Sequence, residues 1–260
     1  MLMAANISTT KGVRLLIKKI FNIDYSARQV SRILRKLGMT LQKPYPYDYR
    51  RPKNAEILLQ NQLSLTFELL KKSGVKKSDI GIGFFDEASP QTTSNTVRVW
   101  SFTKPTLAKN TSRLKLNAAG FYAIKGNSTI AYLKNSTQEE ILSMFEKIKE
   151  ANKSYKAIIV VLDNFRSHKT PTVLAKAREL GIYPVFLPPY SPHLNPIEFI
   201  WKSVKRVISL SFIKDEYTFQ MIAKDAFDKC SGKLSFARRW ISEFFNPLWN
   251  QYTNYGKFCH

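Results

Sequence analysis

The sequence predicts an α/β fold, a mixed sheet flanked by helices and preceded by a small all-α module. Three observations carry this. The run Ala157 to Leu162 is continuously apolar and rich in Ile and Val, as expected of a strand buried on both faces. The order along the chain is strands, then helix, then strand–helix–strand–helix, which is the order of a sheet covered by helices. The first 41 residues instead show two short amphipathic helical patterns and no strand pattern.

At the amino end, Val13, Leu16, Ile17, Ile20 and Phe21 recur at helical spacing, with Lys18 and Lys19 on the other side. Residues 1 to about 10 are polar and expected to fray. After a short turn, Ser26 and Gln29 have the spacing of a capping box. Val30, Ile33, Leu34 and Leu37 form one stripe, and Gly38 stands where a helix-ending glycine belongs. Two helices and a short turn, the second basic, read as a helix-turn-helix. Arg28, Gln29, Ser31, Arg32 and Arg35 are its expected DNA contacts; the alternative is an amphipathic hairpin with a solvated basic face. Residues 42–54 contain three prolines and read as an extended linker. Its Tyr and Arg residues, Arg50 and Arg51 included, either meet a DNA backbone or bind the neighbouring domain.

The larger domain is expected over 55–215. Ala55 to Ser73 reads as an amphipathic helix with Ile57, Leu58, Leu65, Leu69 and Leu70 in the core. Strands are expected at Ile80 to Phe85, around Val97 to Phe102, around Leu114 to Ile124 and around Thr129 to Lys134, with turn residues between them. A helix capped by Ser136 or Thr137 runs to about Asn152. After the Ala157 strand come a helix over Thr170 to Leu180, a strand from Tyr183 to Leu187, and a proline-rich turn. A helix then begins with Asn195 as its cap and Pro196 at its first position, and should bury Trp201. Asp215 to about Lys229 is a further helix. The 216–260 extension is aromatic and basic; packing or a dimer contact is the leading reading, stacking on unpaired bases the other.

A formal charge of +22 suggests a polyanionic partner, nucleic acid being the simplest; the alternative is a merely basic protein. Two cysteines, Cys230 and Cys259, give neither a zinc-site spacing nor a disulfide framework. No stretch is long and apolar enough for a membrane span, and the amino end lacks a signal-peptide core. The expected location is therefore with the DNA: cytoplasmic and nucleoid-associated.

Asp86 and Asp163 each follow an apolar strand, and Glu198 falls in the first turn of a helix, 35 positions after Asp163. Open α/β sheets place ligands just outside their strand ends. Three such acids are what a two-metal phosphoryl-transfer site needs, since Mg²⁺ takes oxygen ligands and a metal pair clamps the attacking and leaving oxygens. A lone carboxylate at a strand end is more often a turn former, and Glu198 also sits where a capping-box Glu would. Glu87 rivals Asp86, but neighbours on a strand face opposite ways.

FFDEAS, VVLDNFRSH and LPPYSPHLNPIEFIWKSVKR resemble the three catalytic blocks of the mariner-type DDE transposases, the closest branch being the prokaryotic insertion sequence 630 family. The resemblance covers roughly Ile80 to Ile208 well and the amino-terminal region more loosely, and it fades after about Tyr217. It implies a ribonuclease-H-like domain behind a winged-helix-like one, and two Mg²⁺ or Mn²⁺ held by Asp86, Asp163 and Glu198. It implies cutting and joining of double-stranded DNA, at the element's terminal repeats and a target, by a homodimer. Asn164 would orient substrate or water. His168, at a His position of the second block, would touch phosphate or cap the following helix. Family members usually carry more helix-turn-helix material at the amino end than fits here, and a non-catalytic DNA-binding derivative is the alternative function. A structure-specific nuclease on the same fold is a further rival.

Overall fold

The computed structural model describes residues 9–42, 48–93, 102, 106–110, 113–134 and 138–252. The strand expected around Val97 to Phe102 lies outside them except for Phe102, as do the Ser136 or Thr137 cap and most of the amino end. The chain divides into two compact units, 1–47 and 48–260.

In the first unit α1 spans Thr10–Phe21 and α2 spans Ala27–Lys36. The Thr9 side chain accepts from the Gly12 N–H, so α1 starts three residues before the apolar pattern does. Ser26 and Gln29 form the full capping box of α2. At its other end Gly38, at φ 77°, donates to Arg35 O and Met39 donates to Leu34 O, the paired bonds of a Schellman motif. Val30 is buried, while Leu37 is 71% exposed and so drops out of the expected stripe.

The second unit is built on a five-stranded sheet among the described residues, in the order β3-β2-β1-β4-β5. Its strands are β1 Ile80–Ala88, β2 Asn117–Lys125, β3 Thr129–Leu133, β4 Ala157–Leu162 and β5 Ile182–Phe186. β1, β2 and β3 pair antiparallel; β1, β4 and β5 pair parallel. The helices are α3 Ala55–Lys72, α4 Gln138–Ala151, α5 Pro171–Glu179, α6 Ile197–Leu210 and α7 Glu216–Ser231, followed by a helical segment over 238–251.

Period-2 alternation sends the strand side chains into two separate cores. Ile80, Ile82 and Phe84 of β1 join Ala157, Ile159 and Val161 of β4 under α3, α6, α7 and the 238–251 segment. Phe85 joins Ile158, Val160 and Leu162 under α4 and α5. Both faces of β4 are covered, which is why its sequence is apolar without alternation.

Two expectations are corrected here. β1 does not stop at Phe85. It carries Asp86 and Glu87 inside the strand, because β2 continues to pair with it up to Ala88↔Ala118. Of the residues expected in the core of α3 only Leu70 is buried, together with Ala55, Leu59, Leu63 and Phe67; Ile57, Leu58, Leu65 and Leu69 are exposed. The carboxyl-terminal aromatics pack inward. Trp240, Phe244 and Tyr252 are buried in the same core as α3, with Phe67 among Phe245, Trp249 and Tyr252.

Gly120, opposite Asp86 in the sheet, lies directly beneath Trp201 of α6 and Phe227 of α7. A Cβ there would stand 2.8 Å from both Trp201 Cζ2 and Phe227 Cε2. The absent methyl lets Trp201 lie on the sheet and so seats α6. Gly120→Ala should lower stability by about 1–3 kcal/mol through overpacking, read as a reduced denaturation midpoint. An unchanged midpoint would show that α6 is not seated this way.

Candidate active site

The register of the sheet explains which acids meet. β1 and β4 pair in parallel up to Phe84↔Val161. Two residues further on, in the same phase, stand Asp86 and Asp163. Asp86 therefore continues the Ile80, Ile82, Phe84 face, which α6 covers, and Glu87 continues the Phe85 face. Beyond Phe84 the chain of β4 turns away, and the edge of β1 on that side opens. Asp86, Asp163, Asn164, Tyr190, Asn195 and Glu198 line the resulting cleft of about 420 Å³, with the Leu187–Pro192 loop as its wall. The geometry thus brings Asp86, Asp163 and Glu198 to one cleft and leaves Glu87 outside its lining.

Asn195 is not the cap of α6, contrary to its expected role. Pro196 occupies that position, and no side chain caps the helix. The Asn195 side chain is buried instead, and its Nδ2 donates to Phe85 O at 3.2 Å. Phe85 lies just past the last β1–β4 pair, so its carbonyl has no strand partner on that side. The amide strap ties the loop that delivers Glu198 to the strand that carries Asp86.

Burial and the neighbouring charges of Glu198 and Asp163 push the Asp86 carboxyl up to about 8. Burial also raises Glu198, against the pull of Lys205 and Lys202. Asp163 behaves differently. Burial would raise it, but His168 and the Phe165 N–H, which donates to Oδ1 at 3.1 Å, hold it below the usual carboxylate range.

His168 neither caps a helix nor lines the cleft. Thr170 caps α5. The His168 ring is buried behind Asp163, with Nδ1 2.7 Å from Asp163 Oδ1 and Nε2 3.8 Å from Glu87 Oε1. Neither nitrogen makes an aligned hydrogen bond, so the contact is one of charge. Burial would lower the imidazole, but these two carboxylates hold it up at about 9. Asn164 is exposed and lines the cleft.

Sequence reasoning missed Tyr190. At φ 56° it is in the left-handed region, which costs about 1 kcal/mol for such a residue. Strain of this kind gathers at functional sites. Its ring lines the cleft beneath the Arg50 guanidinium, 4.0 Å from the ring centroid. Arg50 is in turn bonded to Asp48, and Arg51 to Glu56 at 2.6 Å. Both linker arginines thus have protein partners. In α2, Arg28, Arg32 and Arg35 are exposed and Ser31 half-buried, and Gln29 spends its carbonyl on the capping box.

Among the described residues no three of His, Cys, Asp and Glu are grouped closely enough to hold a metal ion as they stand. Repulsion among the acids and the turn of Asp163 toward His168 account for this.

The sequence from 82 to 220 matches the family described as DDE superfamily endonuclease, and residues 6–55 match a winged helix-turn-helix family. The chain belongs to the DDE endonuclease superfamily. Among curated proteins, nothing matches. Among solved structures, this endonuclease is similar to the Mos1 transposase paired-end complex with left transposon end, at 16% identity over 94% of this chain and 76% of that one, TM-score 0.61. It is also similar to the mariner Mos1 paired end complex with Mg, at 15% identity over 96% and 74%, TM-score 0.61. At that distance the likeness establishes a shared fold. No helix among the described residues of the endonuclease is long and apolar enough to cross a membrane.

The charges make a pH prediction for the metal-free protein. Between 3.8, the ordinary Asp86 value, and about 8, the folded chain keeps a proton that the unfolded chain has lost. Stability should therefore fall as pH rises through that window. His168, raised from 6.5 to about 9, contributes stability below 6.5 that is lost as pH rises through 9. In chelator, Asp86→Asn should melt higher than wild type at pH 8, and His168→Gln should flatten the decline between 6.5 and 9. Thermal melts across pH would show either slope unchanged if the assignment were wrong.

Proposed function

We propose that this chain is a DNA transposase that binds the ends of an insertion element, hydrolyses phosphodiester bonds there and transfers the cut strand. The observation that carries this is the convergence of Asp86, Asp163 and Glu198 on one open cleft within the DDE endonuclease region. The companion region matches a winged helix-turn-helix family, and one of the solved structures this chain resembles is a transposase complex with a transposon end. A charge of +22 suits a partner made of phosphates.

The donor set fits divalent ions. All three side chains offer hard oxygens, and burial together with the charges of Glu198 and Asp163 raises the Asp86 carboxyl. Asp86, Asp163 and Glu198 would hold two Mg²⁺ or Mn²⁺. When bound, these supply charge neutralisation at the attacking and leaving oxygens of the phosphoryl group. His168 holds the Asp163 carboxylate in its ionised form, ready to act as a ligand. The Asn195 strap keeps Glu198 and Asp86 at a fixed separation. Asn164 offers an amide at the cleft for a phosphate oxygen or a water. Water attacks in the cutting step and the freed 3′-hydroxyl attacks in the joining step, so no protein nucleophile is required. Two ends cut together call for a homodimer on DNA, working in the nucleoid compartment.

Asp163→Asn should reduce strand cleavage in Mg²⁺ or Mn²⁺ by at least about a hundredfold and leave binding to the element's ends near wild type. Cleavage undiminished in that variant would falsify the site. A wild-type chain that binds the ends but never cuts would point to a non-catalytic derivative. Arg32→Ala should weaken end binding by about 1–3 kcal/mol, measured by gel-shift titration. An unchanged affinity would move the groove contact away from α2.

A further inference from the structure

The stretch that delivers Glu198 has a second side. Pro192, Asn195 and Glu198 line the acidic cleft, while His193, Leu194, Pro196 and Phe199 border a separate cavity of about 600 Å³. The rest of that cavity's wall comes from Glu56 at the start of α3 and from residues between 235 and 244. Its size is that of a small-molecule site, and so is its make-up of aromatic and aliphatic surface with a few polar groups.

Most charges at this cavity are already matched. Glu56 pairs with Arg51 at 2.6 Å and with His193 Nε2 at 3.3 Å. Glu243 pairs with Arg239 at 2.7 Å. Arg238, by contrast, is exposed at the cavity and forms no ion pair among the described residues. Trp240 borders the cavity too; it is buried, and its indole N–H has no hydrogen-bond partner among the described residues. An unsatisfied buried donor is destabilising, and native proteins keep few of them. The wall therefore carries a cation and a donor without acceptors to match. Phe199, Phe236 and Phe244 supply ring surface beside them. Phe244 belongs to a π-helical turn, Ile241–Phe245, a winding that recurs at functional sites.

We propose that this cavity binds a small aromatic carboxylate, with its carboxylate on the Arg238 guanidinium and its ring against Phe199, Phe236 and Phe244. Guanidinium and carboxylate match as a bidentate, charge-assisted pair. A nucleobase suits the cavity less well, because its edges carry several donors and acceptors, and the acids on this wall are already paired. The occupant braces residues 193–199 from the side away from the cleft and so steadies the placement of Glu198. This assignment stands apart from the chemistry proposed for the cleft.

The test uses the full chain with 1-naphthoate as the probe, in chelator and without DNA. Fluorescence titration should show a saturable site with a Kd below about 1 mM. Naphthalene-1-methanol, which has the same rings and no charge, should bind about tenfold more weakly. Arg238→Gln should lower naphthoate affinity by the same factor and leave binding of the alcohol unchanged, and Arg238→Lys should recover part of the loss. Phe236→Ala should weaken both probes. Lys224→Ala, which removes a cation that does not border the cavity, should change neither. Hydrogen exchange across 193–199 should slow when naphthoate saturates the chain. An Arg238→Gln variant that melts normally and keeps full naphthoate affinity would overturn the proposal. If that variant misfolds, the wild-type comparison decides, since equal affinity for acid and alcohol would overturn it as well. Tighter binding of deoxyadenosine monophosphate, or exchange protection around Asp86 and Asp163 in place of 193–199, would do the same. None of these readouts involves cleavage, so failure here leaves the reading of the cleft intact.

Discussion

Parallel pairing between β1 and β4 fixes most of what happens at the cleft. The register Phe84↔Val161 sets the phase of both strands, and two residues later that phase presents Asp86 and Asp163 on the same side. Neighbouring strands lie about 4.7–4.9 Å apart, so two carboxylates in this arrangement are obliged to feel one another. The third arrives from a different direction. α6 is pressed onto the sheet at Gly120 and strapped to Phe85 O by Asn195. The same alternation sends Glu87 to the opposite face, where it helps hold His168. One pairing register thus separates two adjacent acids into a cleft residue and a supporting one.

The charges follow an unusual economy for so basic a chain. Forty-one Lys and Arg residues are available, yet the neighbour that Asp163 receives is a buried histidine, and the α6 lysines stay unpaired beside Glu198. A protein selected only for stability would place a cation beside Asp86 as well, whose charged neighbours are acids. Leaving the repulsion in place costs folding free energy and keeps the oxygens available, a trade expected where a site is built for a ligand.

Much of this was legible in the sequence, for physical reasons that differ between elements. β4 is apolar throughout because both its faces are covered, and its limits coincide with Ala157 and Leu162. The Ser26 capping box and Gly38 rest on local chemistry that needs no tertiary context. α3 was misread because leucines occur on both of its faces, so its pattern alone could not say which face meets the sheet. Asn195 was misread because Asn before Pro and an apolar run is a cap signal whether or not the side chain turns back to a strand. His168 and Tyr190 were opaque for a related reason. What each does depends on partners brought in by the fold: Glu87 lies far from His168 in the chain, and Arg50 far from Tyr190.

The roof over α3 has a consequence for how the chain is made. Tyr252 donates to Val75 O across 177 positions, and its ring closes over Phe67 together with Trp249 and Phe245. At 5–20 residues per second, a ribosome takes roughly 10 to 35 seconds to deliver that cover after α3 has emerged. For all that time Phe67 lacks this part of its cover. Maturation of this unit therefore cannot proceed vectorially from its amino end, and completion waits for Tyr252 to leave the exit tunnel.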